Sequence, residues 1–521
     1  MKSHKPIIML IALIVALGGL LMGFDASVIS GVVKFIEPEF NLTKLELGWS
    51  VASLTLTSTL AMMLAGPLSD RLGRRTVLRY AAILYAVSAI TSALAPTFTA
   101  LVIARMIGGF GVGASLILAP MYIAELAPPS IRGRLVSFNQ LNIVIGISLA
   151  FFTNYMILQL GKSDASWVSN LGIREHNWRW MLGLETIPAV LYFCGLFFVP
   201  RSPRWLILKG NFDEAVKVLA RFTDKQEAKS AVHEIRESLD GDVKEEKAGV
   251  KDLFTRRMRL VLMIGVIIAI LQQITGINSV FFYAPMIFEQ SGIGTDASFI
   301  QAIMVGITNL VFTVLALLFI DRLGRKPLLV FGVSGMAISL FLLAYGFNIS
   351  TYTLTAESID GLSEGINKGQ LAEMVDVTYD SDVEFNAALV ESLGKEAAGE
   401  YKSQIITAAI STNPIMILIG ILGFVASFAI SIGPVMWVLF SELFPNAIRG
   451  IAISFVGLIN SAISFVVQWV FPWELQTLGN AVTFAIYGIF AAAGLIFIIR
   501  IVPETKGKSL EELEEKLVGA E

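Results

Sequence analysis

Gly66-Pro67-Leu68-Ser69-Asp70-Arg71-Leu72-Gly73-Arg74-Arg75 lies between two long apolar runs, and a shortened copy, Asp321-Arg322-Leu323-Gly324-Arg325-Lys326, stands in the second half of the chain. Each copy puts one acid and three bases into a turn too short to be a domain. Short basic turns between apolar runs stay on the cytoplasmic face of a membrane. Both copies are therefore expected on that face, and the chain reads as two related membrane-embedded halves.

Composition agrees. Of 521 residues, 55% are hydrophobic and 16% charged, whereas a soluble domain carries about a quarter charged; mean hydropathy is +0.71. At about 20 apolar residues per helical crossing, the chain holds a dozen crossings and no large soluble domain. A net charge of -3, with bases scattered over short loops and one linker, gives no nucleic-acid footprint. Cys194 is the only cysteine, so neither an intramolecular disulfide nor a cysteine metal site can form. His4, His176 and His233 have no metal-ligand spacing, and no Gly-rich Lys-Ser/Thr phosphate loop occurs. The expectation is a non-enzyme without metal or cofactor, driven by an ion gradient.

Runs with few or no charges predict crossings near 7–31, 47–69, 78–95, 98–123, 135–160 and 181–200, then 259–288, 297–320, 327–348, 412–441, 450–473 and 478–499. The fold class is thus all-α, with twelve transmembrane helices as six plus six. Lys2 and Lys5 precede a charge-free run from Pro6 to Phe24 that lacks a small-residue cleavage site, which reads as a retained first helix with a cytoplasmic N-terminus. Twelve crossings return the C-terminus to the cytoplasm.

The halves are 1–200 and 258–501, joined by a mixed-charge linker, 201–257, whose apolar residues Ala215, Val218, Leu219 and Phe222 suggest short amphipathic helices. Residues 349–403 form a long acidic loop on the outer face: a lid, a partner-binding patch or a solvated insertion without consequence. The tail, 502–521, places leucines on one face of a short inner helix around Lys508 to Leu517.

A second signature repeats. Tyr122-Ile123-Ala124-Glu125 leads to Arg132-Gly133, and Ser441-Glu442 leads to Arg449-Gly450, with seven residues from Glu to Arg in both. Asp70 precedes Glu125 by 55 residues and Asp321 precedes Glu442 by 121, and the excess is about the size of the outer loop. Repeats related by an axis along the membrane normal suit a rocking secondary transporter with substrate held between its halves. Asp70, Arg74, Arg75, Glu125, Arg132, Asp321, Arg325, Glu442 and Arg449 then form inner-gate ion pairs, or serve topology and helix capping alone. Asp25 follows a 19-residue apolar run, and a charge within a crossing is by default functional.

Together these signatures resemble the sugar porter family of the major facilitator superfamily, closest in pattern to its bacterial xylose–proton symporter type. The resemblance rests on both Asp-Arg-Leu-Gly-Arg motifs, Arg105-Met106-Ile107-Gly108-Gly109-Phe110-Gly111-Val112-Gly113, Pro200-Arg201-Ser202-Pro203-Arg204-Trp205, Gln272-Gln273-Ile274-Thr275-Gly276-Ile277-Asn278 and Pro503-Glu504-Thr505-Lys506-Gly507. It implies proton-coupled import of a monosaccharide by a monomer in the inner membrane of a bacterium.

Carried over motif by motif, it implicates Gln140, Gln272, Gln273, Asn278, Asn309 and Trp437 in substrate binding. It pairs Asp25 with Arg105 for proton coupling, and it adds Glu504 to the inner gate. Carboxamides suit the task because each both donates and accepts without net charge. A fixed structural ion pair is the alternative for Asp25 and Arg105, and a facilitative uniporter, a polyol (inositol) carrier or a non-transporting sensor for the whole. Sequence does not separate proton from sodium coupling. Met22, Ile147, Phe282 and Ser461 depart from the xylose and glucose pattern and leave the sugar open, and Arg201 stands where the first-half motif expects an acid.

Overall fold

A computed structural model of the protein describes residues 5–127, 131–222, 224–242, 249–363, 365–445, 448–508 and 512–513. Among the described residues, eleven helices are long and apolar enough to cross a membrane. The sixth crossing differs from an unbroken run over 181–200: it consists of Asn177–Gly183 and Thr186–Gly195, interrupted at Leu184 and Glu185. An acid buried within the run sits at the interruption. The seventh crossing is also segmented, into Arg259–Ile274, Ile277–Phe282 and Ala284–Glu289.

The chain divides into two compact units. The first comprises Met1–Ser27, Ser53–Ala150 and Arg179–Ala248. Between lipid-solvated helices there is little hydrophobic drive, so small residues that admit close backbone approach carry the packing. The glycines after Arg105 do this: a Cβ on Gly109 would lie 2.5 Å from the Leu54 carbonyl oxygen, and one on Gly113 would lie 2.1 Å from that of Ser58. Larger residues, among them Leu78, Tyr85, Leu118, Tyr122 and Tyr192, fill the space beside this seam. Helices Pro203–Leu208, Phe212–Leu219 and Lys225–Asp242 follow the sixth crossing.

The second unit comprises Val28–Ala52, Phe151–Trp178 and Gly249–Glu521. It therefore includes the ends of the first, second and fifth crossings that lie opposite the Asp-Arg-Leu-Gly-Arg turns. These ends are fastened to the second six crossings. Lys34 donates to Glu289 at 2.5 Å and also to Thr295. Gly48 lies against the backbone of Trp469, Trp49 meets Phe465 and Trp469 edge-on, and Lys162 pairs with Asp296.

The acidic segment is a folded subdomain, not a loop. Strand Thr351–Thr353 lies between antiparallel strands Thr378–Tyr379 and Ile410–Ser411, with Tyr352 opposite both Tyr379 and Ile410. Helices Asp382–Leu393 and Lys395–Ala409 close over a core that includes Tyr352, Leu354, Phe385, Leu389 and Ile405. Asp382 accepts hydrogen bonds from the backbone and side-chain amides of Asn480, 3.1 and 2.7 Å away, and so anchors the subdomain to the start of the twelfth crossing. Burial, together with the neighbouring Lys44, pushes the Lys402 ammonium down to about 8. Most of the expected tail helix lies outside the described residues.

Candidate functional site

In the first unit, Asp25 and Arg105 are 1% and 2% exposed, and the guanidinium reaches Asp25 twice, at its Oδ1 and at its backbone carbonyl, both 3.3 Å. Gly108 leaves the room for this: a Cβ there would lie 2.8 Å from Asp25 Oδ2 and 2.5 Å from Ser88 Oγ. Asp25 Oδ2 is buried with no hydrogen-bond partner. The Asp25 carboxylate is thus only half satisfied, with one oxygen on Arg105 and the other without a donor.

Glu185 is also 2% exposed, its Oε1 has no partner, and it interacts electrostatically with both Asp25 and Arg105. The sequence reading passed over it, although a lone acid in an apolar crossing is the same signal that picked out Asp25.

In the second unit, Gln272, Gln273 and Asn278 are brought together by the break in the seventh crossing. Thr275 ends one helix and Gly276, at φ 83°, adopts the left-handed conformation that starts the next. Asn278 thereby returns to within 2.9 Å of Gln273 Oε1. Gln273 donates to Gln272 Oε1 at 3.1 Å and to Asn460 Oδ1 at 3.2 Å, and Asn460 donates to Gln272 Oε1 at 2.8 Å. Asn460 is therefore a full member of the cluster that the motif reading missed; its signal was an amide inside the apolar run Leu458-Ile459-Asn460.

Asn309 is buried in helix Gly294–Leu323 but forms none of these bonds, and Gln140 is exposed on its helix in the first unit. Trp437 is 46% exposed and meets Phe440 edge-on beside Gly457, so it belongs to an open face and not to the amide cluster.

Beside the Asp-Arg-Leu-Gly-Arg turns, each unit builds the same clamp. In the first, Arg74 Nε donates to Glu125 at 3.1 Å and Arg74 pairs with Asp70 at 2.6 Å, while the Ser202 hydroxyl donates to the other oxygen of Glu125. In the second, Arg325 holds Glu442 at 2.7 to 3.1 Å and Thr505 donates to Glu442 at 2.6 Å. Glu504 accepts from the backbone amides of Arg325 and Lys326, both 3.1 Å, and so caps the eighth-to-ninth turn.

Two expected ion-pair members do otherwise. Arg75 donates to the Val199 carbonyl at 3.0 Å, in the bend after the sixth crossing, and Arg449 donates to that of Phe444 at 3.1 Å, where it satisfies a carbonyl at a helix end. The side chains of Arg132 and Asp321 lie outside the described residues. Arg201, in the position of Glu504, turns away to Glu214 at 3.3 Å.

Comparison with known proteins places this geometry in a family. The pattern of the "Sugar (and other) transporter" family matches residues 11–366 and 397–517, leaving out the middle of the acidic subdomain. The arabinose-proton symporter of Bacillus subtilis is 35% identical over 519 residues, covering 99% of this chain and 96% of that protein. The D-xylose-proton symporter of Escherichia coli is 38% identical over 546 residues, covering 98% and 96%. A solved inward-open conformation of the xylose transporter from E. coli superposes with a TM-score of 0.74 at 35% identity, over 98% of this chain and all of that one. The chain is a multi-pass membrane protein of the sugar transporter family, built on the twelve-helix major facilitator fold.

Proposed function

We propose that the protein imports a neutral monosaccharide, pentose or hexose, together with protons, by alternating access. The observation that carries the reading is the buried Asp25–Arg105 pair with one carboxylate oxygen unpartnered. A facilitator has no use for a titratable group in that place, whereas a symporter needs one whose charge state alters the balance between its two forms. A proton reaching Asp25 neutralises it and frees Arg105 from its ion pair. The relatives named for arabinose-proton and D-xylose-proton symport support the same substrates here.

Sugar recognition falls to Gln272, Gln273, Asn278 and Asn460, with Gln140, Asn309 and Trp437 completing the binding set. Neutral amides satisfy sugar hydroxyls without the cost of a buried charge. The protein works as a monomer in a bacterial inner membrane, with both termini and both Arg-Glu clamps on the cytoplasmic side. Its halves are 1–200 and 258–501, joined by the linker 201–257, with the tail 502–521 inside and the acidic subdomain outside. Opening to the outside then requires release of the fastenings at Lys34, Gly48, Trp49 and Lys162. The paired clamps, with Asp70, Arg75, Arg132, Asp321, Arg449 and Glu504, govern the inner side.

The test is uptake of labelled xylose, arabinose, glucose, galactose, fructose and inositol into vesicles holding only this protein, with and without an inward proton gradient. Accumulation that collapses with a protonophore is expected. Equilibration indifferent to the gradient would make the protein a uniporter.

A further inference from the structure

A carboxamide carries two hydrogens to donate and one oxygen to accept, so the polarity of the cluster can be counted bond by bond. Gln272 Nε2 donates to the Ile432 and Gly433 carbonyls, both 3.3 Å away. Its oxygen receives Gln273 and Asn460. Gln273 spends its hydrogens on Gln272 and Asn460. Asn460 spends its own on Gln272 and the Ala269 carbonyl, the latter at 2.9 Å. The hydrogens of these three amides are committed inside the protein.

Asn278 is the exception in one respect. Its two hydrogens also go to protein, to Gln273 Oε1 and to Ser464 Oγ at 2.8 Å. Its oxygen, however, is the one carboxamide oxygen of the four that receives no donor among the described residues, and Asn278 alone of the four is only half-buried.

What holds it so, together with Gln273 Oε1, is a pair one turn apart on the eleventh crossing. Gln468, 1% exposed, donates from Nε2 to Ser464 Oγ at 2.6 Å. Ser464 thus accepts from both Gln468 and Asn278, which fills both lone pairs of its hydroxyl. The backbone carbonyl of Gln468 accepts from the Tyr283 hydroxyl at 3.1 Å and ties this turn to the segmented seventh crossing that carries Asn278.

We propose that Ser464 and Gln468 are positioning residues that lock Asn278 as an acceptor-only group, so that the site selects a substrate hydroxyl able to donate a hydrogen bond. This rests on the reading of the amide cluster as the sugar site. A sugar hydroxyl replaced by hydrogen loses both donor and acceptor, whereas one replaced by fluorine loses the donor alone. Facing a locked acceptor, fluorine is as poor as hydrogen; facing an amide free to turn, it is not.

The experiment is counterflow competition on the purified full-length protein, with monodeoxy and monofluoro analogues of the transported sugar. At one ring position both replacements are expected to weaken competition alike, by about tenfold for a lost bond to a buried polar group. In Ser464→Ala and in Gln468→Leu the fluoro analogue should recover relative to the deoxy analogue at that position. Ser464→Thr, which keeps the hydroxyl, should retain the original pattern. If Ser464→Ala does not fold, as judged by its melting temperature, Gln468→Leu makes the same comparison.

The proposal is overturned if fluorine outperforms hydrogen at every position in the unaltered protein, or if the pattern is the same in the released variants. Gln272→Leu separates this from failure of the underlying reading. If it leaves affinity for the parent sugar untouched, the amide cluster is not the sugar site; if it weakens that affinity while Ser464→Ala leaves the fluorine pattern unmoved, only the lock fails.

Discussion

The candidate sites of the two units are built from buried polar groups of opposite kinds. The first holds charge: Asp25, Arg105 and Glu185, with oxygens of both acids unpartnered. The second holds neutral amides whose hydrogens are committed to one another and to backbone carbonyls. A half-satisfied charge in a low-dielectric interior responds strongly to one proton, and a saturated amide lattice responds hardly at all. The lattice answers instead to a ligand that brings as many hydrogen bonds as it displaces. The same duplicated frame, with the same Arg-Glu-hydroxyl clamp in each unit, thus carries two chemistries that can be broken separately.

The largest separation is expected from Asp25→Asn. It should abolish accumulation of sugar above equilibrium while leaving exchange of labelled for unlabelled sugar across the vesicle wall. Loss of both activities together would make the pair structural. Next comes Gln273→Leu, which keeps much of the volume and strands the partners of Gln273 on Gln272, Asn278 and Asn460. At about 1–3 kcal/mol for a stranded buried group, half-saturation in counterflow should rise about tenfold or more. The accumulation ratio at saturating sugar should stay as it was.

The clamps sharpen the comparison from the other direction, because there the two units are alike. Glu125→Gln and Glu442→Gln should each lower stability by roughly 2 kcal/mol, since each leaves a largely buried arginine, Arg74 or Arg325, facing a neutral amide. Melting temperatures of the two purified variants should fall by similar amounts. A fall in only one would show that the repeated geometry does not carry repeated energetics.

Much of this was legible in the chain. The paired Asp-Arg-Leu-Gly-Arg turns, the Glu-to-Arg spacing and the apolar runs gave the fold class, because lipid imposes a length and a charge rule that sequence records directly. Asp25 stood out for the same reason, whereas the two glutamines were reached through the motifs that resemble the sugar porter family. Glu185 and Asn460 were missed because no motif surrounds them; each is one polar residue in an apolar run, and only packing reveals which neighbours it meets.

The acidic subdomain was misread as a loop because its strands are two or three residues long and its core is spread over helices and turns without a steady period. The capping role of Arg449 depends on where a helix ends within one turn, which is the least legible feature of any sequence.

The smallest effect tests a place where the described parts of the clamps differ. Glu504 caps the amides of Arg325 and Lys326, next to Gly324 at φ 95°. In the first unit the matching turn has Gly73 at φ 91° and no side-chain cap on helix Arg74–Ala93, because Arg201 stands where the acid would be and Trp205 covers the glycine. A carboxylate at a helix N-terminus contributes about 0.5–1 kcal/mol through the exposed amides and the aligned peptide dipoles. Arg201→Glu should therefore raise the melting temperature slightly, and Glu504→Arg should lower it by a similar amount. Arg201 also pairs with Glu214, but that pair is exposed at both ends, so its loss subtracts little. A drop in stability on Arg201→Glu would mean that the Glu214 contact outweighs an empty cap, and that the two clamps have diverged in energetics as well as in sequence.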